Sequence, residues 1–323
     1  MKKIFIYLLQ VYCILQVQFI NAQKFTIPIF PDTQGEVGSV HEMFLSQINW
    51  IANKKDSLHI PMALHVGDIV NFDNYDHWDM ASLGFDILDK NRIPYALAVG
   101  NHDTRAVGEY SGSAAPGNVN QNLRTTDKFN SYFPVSRFIN QRGRYEESKS
   151  DNAYYTFKEG NTNWLVLTLE FCPRMGAINW AADVIKKYYT YNVIILTHFY
   201  LTPAGEIGNN NAGYGDFAPK DIYEKLVLNY PNVIIVVSGH VTKSAFKTSL
   251  GKNGNTVYQI LQNYQDEDAG GGYLRLLTID IDKATLKAEM YSPYYNKTRS
   301  DSSSFSFQNV KYLNVLDFEK KKK

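Results

Sequence analysis

The sequence has few cysteines, few prolines and no excess of charge of either sign. Of its 323 residues, 2 are cysteine, 11 are proline and 21 are glycine, which excludes collagen-like and low-complexity chains. The 33 basic and 32 acidic residues leave a formal charge of +1, so electrostatics does not favour nucleic acid or an acidic membrane as the main partner. Apolar residues make up 44% of the chain and aromatic residues 14%, which excludes a wholly disordered chain and predicts a globular protein.

The first 22 residues differ from the rest. Lys2 and Lys3 precede an apolar run from Ile4 to Ile20, and the small residue Ala22 follows. This order is typical of a secretory signal peptide, so we expect cleavage after Ala22 and an exported protein, periplasmic or extracellular, with no membrane contact once cleaved. The alternative is an uncleaved anchor, but the run is interrupted by three glutamines and is short for a span of roughly 20 apolar residues. Cleavage leaves Cys172 as the only cysteine, so no intrachain disulfide can form.

Short apolar runs alternate with segments of helical period from Lys24 to about Val99. The runs KFTIPIF, IPMALHV and IPYALAV predict three buried strands. Between them, apolar residues at helical spacing predict two helices, one including Phe44 and Ile48 and the other Trp78 and Phe85. This βαβαβ order predicts an α/β fold with buried strands.

The second half predicts further strands and helices. NAYYTF and NWLVLTL, separated by KEGNT, predict a hairpin, NVIILTHF and NVIIVVSGH predict buried strands, and TVYQILQNY and YLRLLTIDI alternate in the strand period. Helices are predicted around Ala177 to Tyr188 and near Asp221 to Leu228. Residues 105–124 and 205–215 predict long loops, which in compact domains are more often functional than idle. No repeat or composition break divides residues 23–318, so we expect one domain, followed by a basic, solvated tail at 319–323.

Metal-type ligands follow five of the predicted strands. They are Asp32 and Gln34 in FPDTQ, Asp68 in VGDIV, Asn101 and His102 in VGNHD, His198 in LTHFY, and His240 in SGHVT. Because sites in open α/β sheets assemble at the carboxyl ends of strands, we expect these side chains to converge. Gly67, Gly100 and Gly239 fit a close backbone approach there. Each polar residue alone is more simply a turn former or a buried histidine, and only the ordered set predicts a site.

The order and spacing of this set resemble the calcineurin-like metallophosphoesterase superfamily, whose signature runs DxH, GD, GNH followed by an acid, a separate His, and GHxH. The phrases PDTQ, QINWI, HVGDIVN, IPYALAVGNHD, LEFCPR and THFYL resemble an exported bacterial branch in which DxQ replaces DxH. The resemblance covers roughly Phe25 to Pro293. It implies a four-layer α/β/β/α sandwich of two mixed sheets. It also implies a hydrolase that cleaves phosphate mono- or diesters by attack of a metal-bridging hydroxide.

The resemblance further implies two divalent metal ions and their ligands. Asp68 would bridge the two cations, since a carboxylate has two oxygens. The other implied ligands are Asn101, His198 and His240 for the second cation, and Asp32 and Gln34 for the first.

Two departures from the family pattern fall on the first metal. Gln34 stands where the family usually has His, and Thr242 stands where the last His of GHxH is expected. Mn, Mg, Fe and Zn all remain candidates, but an oxygen-dominated site favours Mn or another hard cation. Asn263 or Gln265 in NYQ could supply a missing oxygen; the alternative is that they hydrogen-bond a turn.

The resemblance also assigns roles around the metals. His102 is the member of GNH that does not bind metal, which makes it the candidate acid that protonates the leaving oxygen or stabilises the transition state, with Asp103 as a possible orienter. Glu170 and Arg174 in LEFCPR also match the branch; Arg174 could bind a phosphate oxygen, or could form a surface ion pair with a nearby acid. Nothing beside Cys172 would activate a thiolate, so we interpret it as a packing residue.

The expected partner is therefore a small phosphorylated substrate, with the choice between mono- and diesters and the oligomeric state left open. A different class of function is a non-hydrolytic binding protein on the same fold, because Gln34 and Thr242 weaken the first metal site. A purely structural exported protein is a third possibility.

Overall fold

The structure is a computed structural model that describes residues 23–266 and 268–320. Its α-helices are α1 (Gln34–Ser39), α2 (His41–Lys54), α3 (Tyr75–Lys90), α4 (Val119–Leu123), α5 (Asp127–Tyr132), α6 (Met175–Lys187), α7 (Pro219–Ile222) and α8 (Val315–Lys320). The strands are β1 (Lys24–Phe30), β2 (Ala63–His65), β3 (Tyr95–Leu97), β4 (Val107–Gly108), β5 (Ser111–Ala114), β6 (Gln141–Arg144), β7 (Ala153–Glu159), β8 (Thr162–Leu169), β9 (Asn192–Thr197), β10 (Val233–Ser238), β11 (Lys243–Leu250), β12 (Thr256–Asn263), β13 (Leu274–Asp280), β14 (Thr285–Ser292), β15 (Lys297–Thr298) and β16 (Phe305–Gln308).

Fourteen of the described strands form two mixed sheets of seven strands each, and β4 and β5 pair in a separate two-stranded sheet. Sheet I has the order β15-β14-β13-β1-β2-β3, with β16 also paired to β14, and sheet II has the order β11-β12-β10-β9-β8-β7-β6. In sheet I, β1, β2 and β3 run parallel. In sheet II, β12, β10, β9 and β8 run parallel. The carboxyl ends of the parallel strands therefore lie together at one edge of each sheet.

The apolar side chains show that the sheets pack face to face, with helices outside. In β9, Ile194 and Leu196 belong to a core shared with sheet I, whereas Val193 and Ile195 belong to a second core with helix α6. A strand buried on both faces explains the continuous apolar run in this part of the sequence. Helices α2 and α3 cover sheet I, where Phe44 packs 6.3 Å from Phe30 between ring centroids. The predicted four-layer α/β/β/α sandwich is confirmed.

Aromatic rings join the two sheets along their length. Phe25 of β1 meets Trp164 of β8 edge-on, with ring centroids 5.4 Å apart. At the other side of the sandwich, Tyr258 of β12 lies 4.7 Å from Phe307 of β16. Each such ring buries a large apolar surface, so these contacts hold the layers at a set separation and orient the strand ends that carry the polar residues.

Most predicted elements are present, with some differences. The hairpin of β7 and β8 and the strands β1, β9, β10, β12 and β13 are confirmed, while β2 and β3 are shorter than their apolar runs. The predicted helix near Asp221 is α7, continued by a π-helical turn at Tyr223–Val227. The prediction of a long loop at residues 105–124 was wrong in part, because that segment contains the β4–β5 hairpin and α4. Strands β11, β14 and β16 and helix α1 were not predicted.

The two ends of the chain are described only in part. The predicted signal peptide, residues 1–22, lies outside the described residues. Helix α8 extends into the predicted basic tail as far as Lys320. Within residues 23–266 and 268–320, none of the helices combines the length and the apolar character needed to span a bilayer.

Candidate metal centre

Five strand ends from the two sheets deliver polar side chains to one place. In sheet I, Asp32 follows β1, Asp68 follows β2 and Asn101 follows β3. In sheet II, His198 directly follows β9 and His240 follows β10. Asp32 and His198 are fully buried, and Asp68 and Asn101 are 2% and 5% exposed. The convergence expected from the carboxyl ends of the strands is therefore what the structure shows.

Asp68, His198 and His240 form the centre of this group. His198 Nε2 lies 3.2 Å from Asp68 Oδ2 and 3.2 Å from His240 Nδ1. One potential ligand atom from each of the three residues lies within 4.8 Å of the others. His198 Nδ1 donates a hydrogen bond to the Val66 carbonyl at 2.9 Å, which turns Nε2 toward Asp68. Such a backbone contact is the usual way in which a metal-binding imidazole is oriented.

Glycine and left-handed backbone allow these side chains to approach. A Cβ on Gly100 would overlap the Asp68 carboxylate, and one on Gly239 would overlap the Asp32 carboxylate. Asp68 and His240 themselves have positive φ angles of 51° and 69°, which non-glycine residues rarely adopt. The expectation that glycines permit close approach is confirmed, and two of the candidate ligands themselves adopt left-handed backbone.

The buried titratable groups of the centre have strongly shifted pKa values. Burial strongly raises the pKa of Asp32, because the charged carboxylate loses its water. Burial alone would lower the pKa of His198, but the carboxylates of Asp68 and Asp32 raise it to about 9. Burial and the charge of His198 together lower the pKa of His240 to about 3. Asp68 and protonated His198 thus form the charged pair of the metal-free centre, while Asp32 favours its neutral form, and a bound cation would take the place of these protons.

Asp32 is held by donors from sheet II. Its carboxylate accepts the His240 backbone N–H at 3.0 Å and the Asn263 side-chain amide at 2.7 Å. The same Asn263 amide also donates to the His240 carbonyl at 3.1 Å, while its oxygen accepts the Gln265 N–H at 3.0 Å. Asn263 therefore presents its NH₂ group to Asp32 and uses its oxygen in a turn, which is the turn alternative left open by the sequence.

Three side-chain oxygens on the segments that follow β1, β3 and β12 lack a hydrogen-bond partner among the described residues. They are Gln34 Oε1, Asn101 Oδ1 and Gln265 Oε1, each shielded from solvent. Buried acceptors are normally hydrogen-bonded, and amide oxygens are ligands that hard divalent cations accept. The residues present therefore suit a metal. The ligand roles assigned to Asp32, Gln34, Asp68, Asn101, His198 and His240 stay predictions.

His102 and Asp103 occupy different positions in the site. The His102 ring donates from Nδ1 to the Asn71 carbonyl at 2.6 Å, and its backbone N–H donates to Asp68 Oδ1 at 2.9 Å. Asp103 is buried and accepts three backbone N–H bonds, from Ile69, Val70 and Gly100, at 2.8 to 3.2 Å. Asp103 thus ties the Asp68 loop to the Asn101 loop, and the residue that orients the His102 ring is Asn71. Sequence reasoning missed Asn71, because a backbone carbonyl leaves no mark in a motif.

The LEFCPR segment lies beside the centre. Arg174 donates to Glu170 at 2.8 Å and to Glu146 at 2.8 Å, which corresponds to the ion-pair alternative. A phosphate role for Arg174 stays a prediction and would require its guanidinium to leave Glu146. Cys172 is buried, and burial raises the pKa of its thiol to about 12, in line with a packing role.

Aromatic rings pack against His198 and His240. The Phe171 ring lies 4.8 Å from the His240 ring and 5.2 Å from both the His198 and Tyr214 rings. Tyr214 comes from the second predicted loop and packs with residues of the first, and Asn120 accepts the Gly215 N–H at 2.8 Å. The two loops thus meet beside the centre. Sequence reasoning marked both loops but could not identify these rings.

Comparison with known proteins places this geometry in a family. The profile of the calcineurin-like phosphoesterase family matches residues 27–243. The chain belongs to that family. The match spans β1 to the start of β11 and includes all five strand ends of the centre, while β12 to β16 lie beyond it.

The chain is also similar to individual proteins. The chain is 31% identical over 287 residues, 84% of its length, to the uncharacterized protein YvnB of Bacillus subtilis (strain 168), and it spans 20% of that protein. Among solved structures, it resembles purple acid phosphatase PPD1 from yellow lupin (Lupinus luteus) seeds with a TM-score of 0.56 at 15% identity, over 91% of this chain and 55% of that one. The NAD nucleotidase of Haemophilus influenzae matches with a TM-score of 0.44 at 11% identity, over 92% and 56% of the two chains. The chain thus spans about half the length of these two phosphatase and nucleotidase structures.

Proposed function

We propose that this calcineurin-like phosphoesterase hydrolyses small phosphate mono- or diesters with two divalent cations. The observation that carries the proposal is the buried meeting of Asp68, His198 and His240, within 4.8 Å of one another, in a chain that matches the family over residues 27–243. The phosphatase and nucleotidase activities named for the structural relatives are consistent with this chemistry.

We expect two ligand groups that share Asp68. The groups are Asp68, Asn101, His198 and His240 on one side, and Asp32, Gln34 and Asp68 on the other. When bound, divalent cations supply Lewis acidity, which lowers the pKa of water and neutralises the charge of a phosphoryl group. Because one side has only oxygen ligands, it favours Mn or Mg over Zn, and it binds more weakly.

His102 is placed to handle the proton of the leaving group. Its Nδ1 proton is held by the Asn71 carbonyl at 2.6 Å, so Nε2 is the nitrogen left to donate to a leaving oxygen. The backbone of His102 is fixed to Asp68, which ties the acid to the metal ligands. Asp103 supports both through the backbone of the neighbouring loops and does not contact the reacting atoms.

The test combines metal content with turnover. The full chain is stripped with a chelator, reloaded with Mn²⁺ or Zn²⁺, and assayed with 4-nitrophenyl phosphate and bis(4-nitrophenyl) phosphate. We expect close to two cations per chain, turnover that needs metal, and a loss of kcat of about 10²- to 10⁴-fold in His102→Ala with metal content unchanged. Asp68→Asn should lose both cations and activity. His59→Asn, at an exposed position with a φ of 48° that Asn adopts readily, is the matched control.

The non-hydrolytic binding protein makes a different prediction for the same experiment. It is favoured by Gln34 and Thr242, which leave the first site without imidazole ligands. One cation or none, with no turnover of either ester at any metal concentration, would establish it and reject hydrolysis. Catalysis that survives both chelation and Asp68→Asn would reject the metal-dependent mechanism itself.

We also propose that the protein is exported, on the basis of Lys2, Lys3 and the apolar run that ends before Ala22. The test is fractionation of cells that express the full chain, followed by N-terminal sequencing. A mature protein that begins at Gln23 outside the cytoplasm supports the proposal, and a cytoplasmic protein that retains residues 1–22 rejects it.

A further inference from the structure

A buried arginine lies between the two sheets. Arg275 of β13 is fully buried and donates to neutral oxygens only: the Gln262 side chain at 3.1 Å, the Ser303 carbonyl at 2.8 Å, the Ser244 hydroxyl at 2.6 Å and the Tyr264 hydroxyl at 2.7 Å. Among residues 23–266 and 268–320, no carboxylate lies within ion-pair distance of Arg275. The guanidinium also lies over the Phe305 ring, 5.0 Å from its centroid, so its charge is met by neutral groups and a ring in the described part of the chain.

A surface pocket of about 180 Å³ opens directly over this arginine. Its lining residues are Lys243, Ser244, Tyr264, Arg299, Asp301, Ser302 and Ser303. Two of them, Ser244 and Tyr264, are the residues whose hydroxyls accept from Arg275. Because Arg275 fills an acceptor position on both oxygens, their own protons serve as donors. Even if the two hydroxyls bond each other, one proton remains for a guest in the pocket.

The charges that line the pocket are mainly positive. Asp301, the one acid among the lining residues that the structure describes, is bound by Arg299 at 2.6 Å and also accepts the Ser303 N–H at 2.9 Å. Lys243 has no carboxylate within ion-pair distance in the described part of the chain. With Arg275 behind the wall, the pocket therefore combines a lysine, a buried guanidinium and hydroxyl donors, a set that matches the oxygens of an anion.

The pocket adjoins the metal centre through the sheet. Lys243 pairs with Asn263 in the register of β11 and β12, and Asn263 donates to Asp32 at 2.7 Å. Tyr264 is the next residue along the chain. An anion bound in the pocket would thus lie on the side of the centre where Asp32 is located.

We propose that this pocket binds an oxyanion, namely a phosphate, sulfate or carboxylate group, next to the metal centre. The anion is a second charged group of the phosphoester substrate or a free inorganic anion, and both would be recognised by Lys243 and the hydroxyls. The case in which the anion is part of the substrate rests on the proposed function, whereas the case of a free inorganic anion is independent of it.

The binding arm uses sulfate as the probe on the chelated full chain, measured by calorimetry. Saturable binding of one sulfate is expected, weakened about ten- to hundredfold in Lys243→Gln and little changed in Lys243→Arg. The control is Lys247→Gln on the same strand, where the lysine pairs with Glu206 at 2.7 Å. The proposal is overturned if wild-type protein shows no saturable sulfate binding, or if Lys243→Gln binds as tightly as wild type.

The kinetic arm distinguishes the two sources. If the anion belongs to the substrate, Lys243→Gln lowers kcat/KM about tenfold or more for an aryl phosphate that carries a carboxylate, and leaves 4-nitrophenyl phosphate unchanged. If sulfate binding is lost while both substrates are unaffected, the pocket holds a free anion. If neither substrate is turned over by wild type, the proposed function fails, and the sulfate arm still decides the pocket.

Discussion

Metal binding should depend steeply on pH, because one ligand must lose a proton. In the metal-free protein, the neighbouring carboxylates raise the pKa of His198 to about 9, so its imidazole is protonated at neutral pH. A cation needs the neutral ring and must displace that proton. His240 adds no proton because its pKa is lowered to about 3, and the pKa of Asp68 is held below its ordinary value by His198 despite burial.

The size of the effect follows from the distance between the working pH and the pKa. Two units below a pKa of about 9, the proton weakens binding about a hundredfold, or about 2.7 kcal/mol. Affinity for the cation at the His198 site should therefore rise about tenfold per pH unit from pH 6 to pH 8 and level off above pH 9. Filling the Asp32 site should release a further proton, because burial raises the pKa of that carboxyl.

The assay is calorimetric titration of chelated protein with Mn²⁺ in two buffers of different ionisation enthalpy, which reports both affinity and protons released. About one proton should leave for the first equivalent of Mn²⁺ at pH 7. In His59→Asn, the affinity for Mn²⁺ should rise with pH as steeply as in the wild type. In His198→Asn, the first equivalent of Mn²⁺ should no longer bind tightly. A wild-type affinity that stays flat between pH 6 and pH 8, or binding without proton release, would refute the reasoning.

Three further predictions concern the support of the centre. The chelated protein should become less stable as pH rises. The folded protein raises the pKa of His198 to about 9, and burial raises that of Asp103 to about 8, so the stability that these protons contribute at lower pH is lost as they leave. Thermal melts from pH 6 to pH 9 should show a falling Tm, and added Mn²⁺ should reverse the fall. In Gly239→Ala, the new methyl group would overlap the Asp32 carboxylate, so the free energy of unfolding should fall by about 1 to 3 kcal/mol and one cation should be lost. Denaturant unfolding and metal analysis measure the two effects. The control is Gly38→Ala, whose new Cβ would meet Asn71 at 3.3 Å and which should keep both cations. Asn263→Ala removes a donor to Asp32 and should weaken one cation about 10- to 100-fold in calorimetry while the other is retained; equal loss of both would contradict the assignment.

The polar centre could be predicted because its signal is local. Asp32, Asp68, Asn101, His198 and His240 stand within four residues of the end of a buried strand, and buried parallel strands appear in the sequence as continuous apolar runs such as NVIILT. Once those runs are recognised, the carboxyl ends of the strands bring Asp68 and His198 together without any knowledge of long-range contacts.

The rest depends on contacts that no short pattern contains. Strand β11 alternates exposed and half-buried residues at a sheet edge, so its apolar signal is weak. The orientation of the Asn263 amide is set by two distant partners. One is the His240 carbonyl, 23 residues away in the chain, and the other is Asp32, which is 231 residues away and follows a strand of the other sheet. The pocket over Arg275 forms because the chain near residue 300 packs against β11, and no pattern in the sequence predicts that contact.

The centre takes its side chains from both sheets, and this has a consequence for how the protein matures. Asp68 and Asn101 follow strands of sheet I, whereas His198 and His240 follow strands of sheet II, so the second cation of the proposed centre would be held from both sheets. Neither half of the chain would then bind that cation as tightly as the two together, and tight binding would require that the two sheets have docked. A chain that ends before β10 would lack His240 and should bind the second cation weakly.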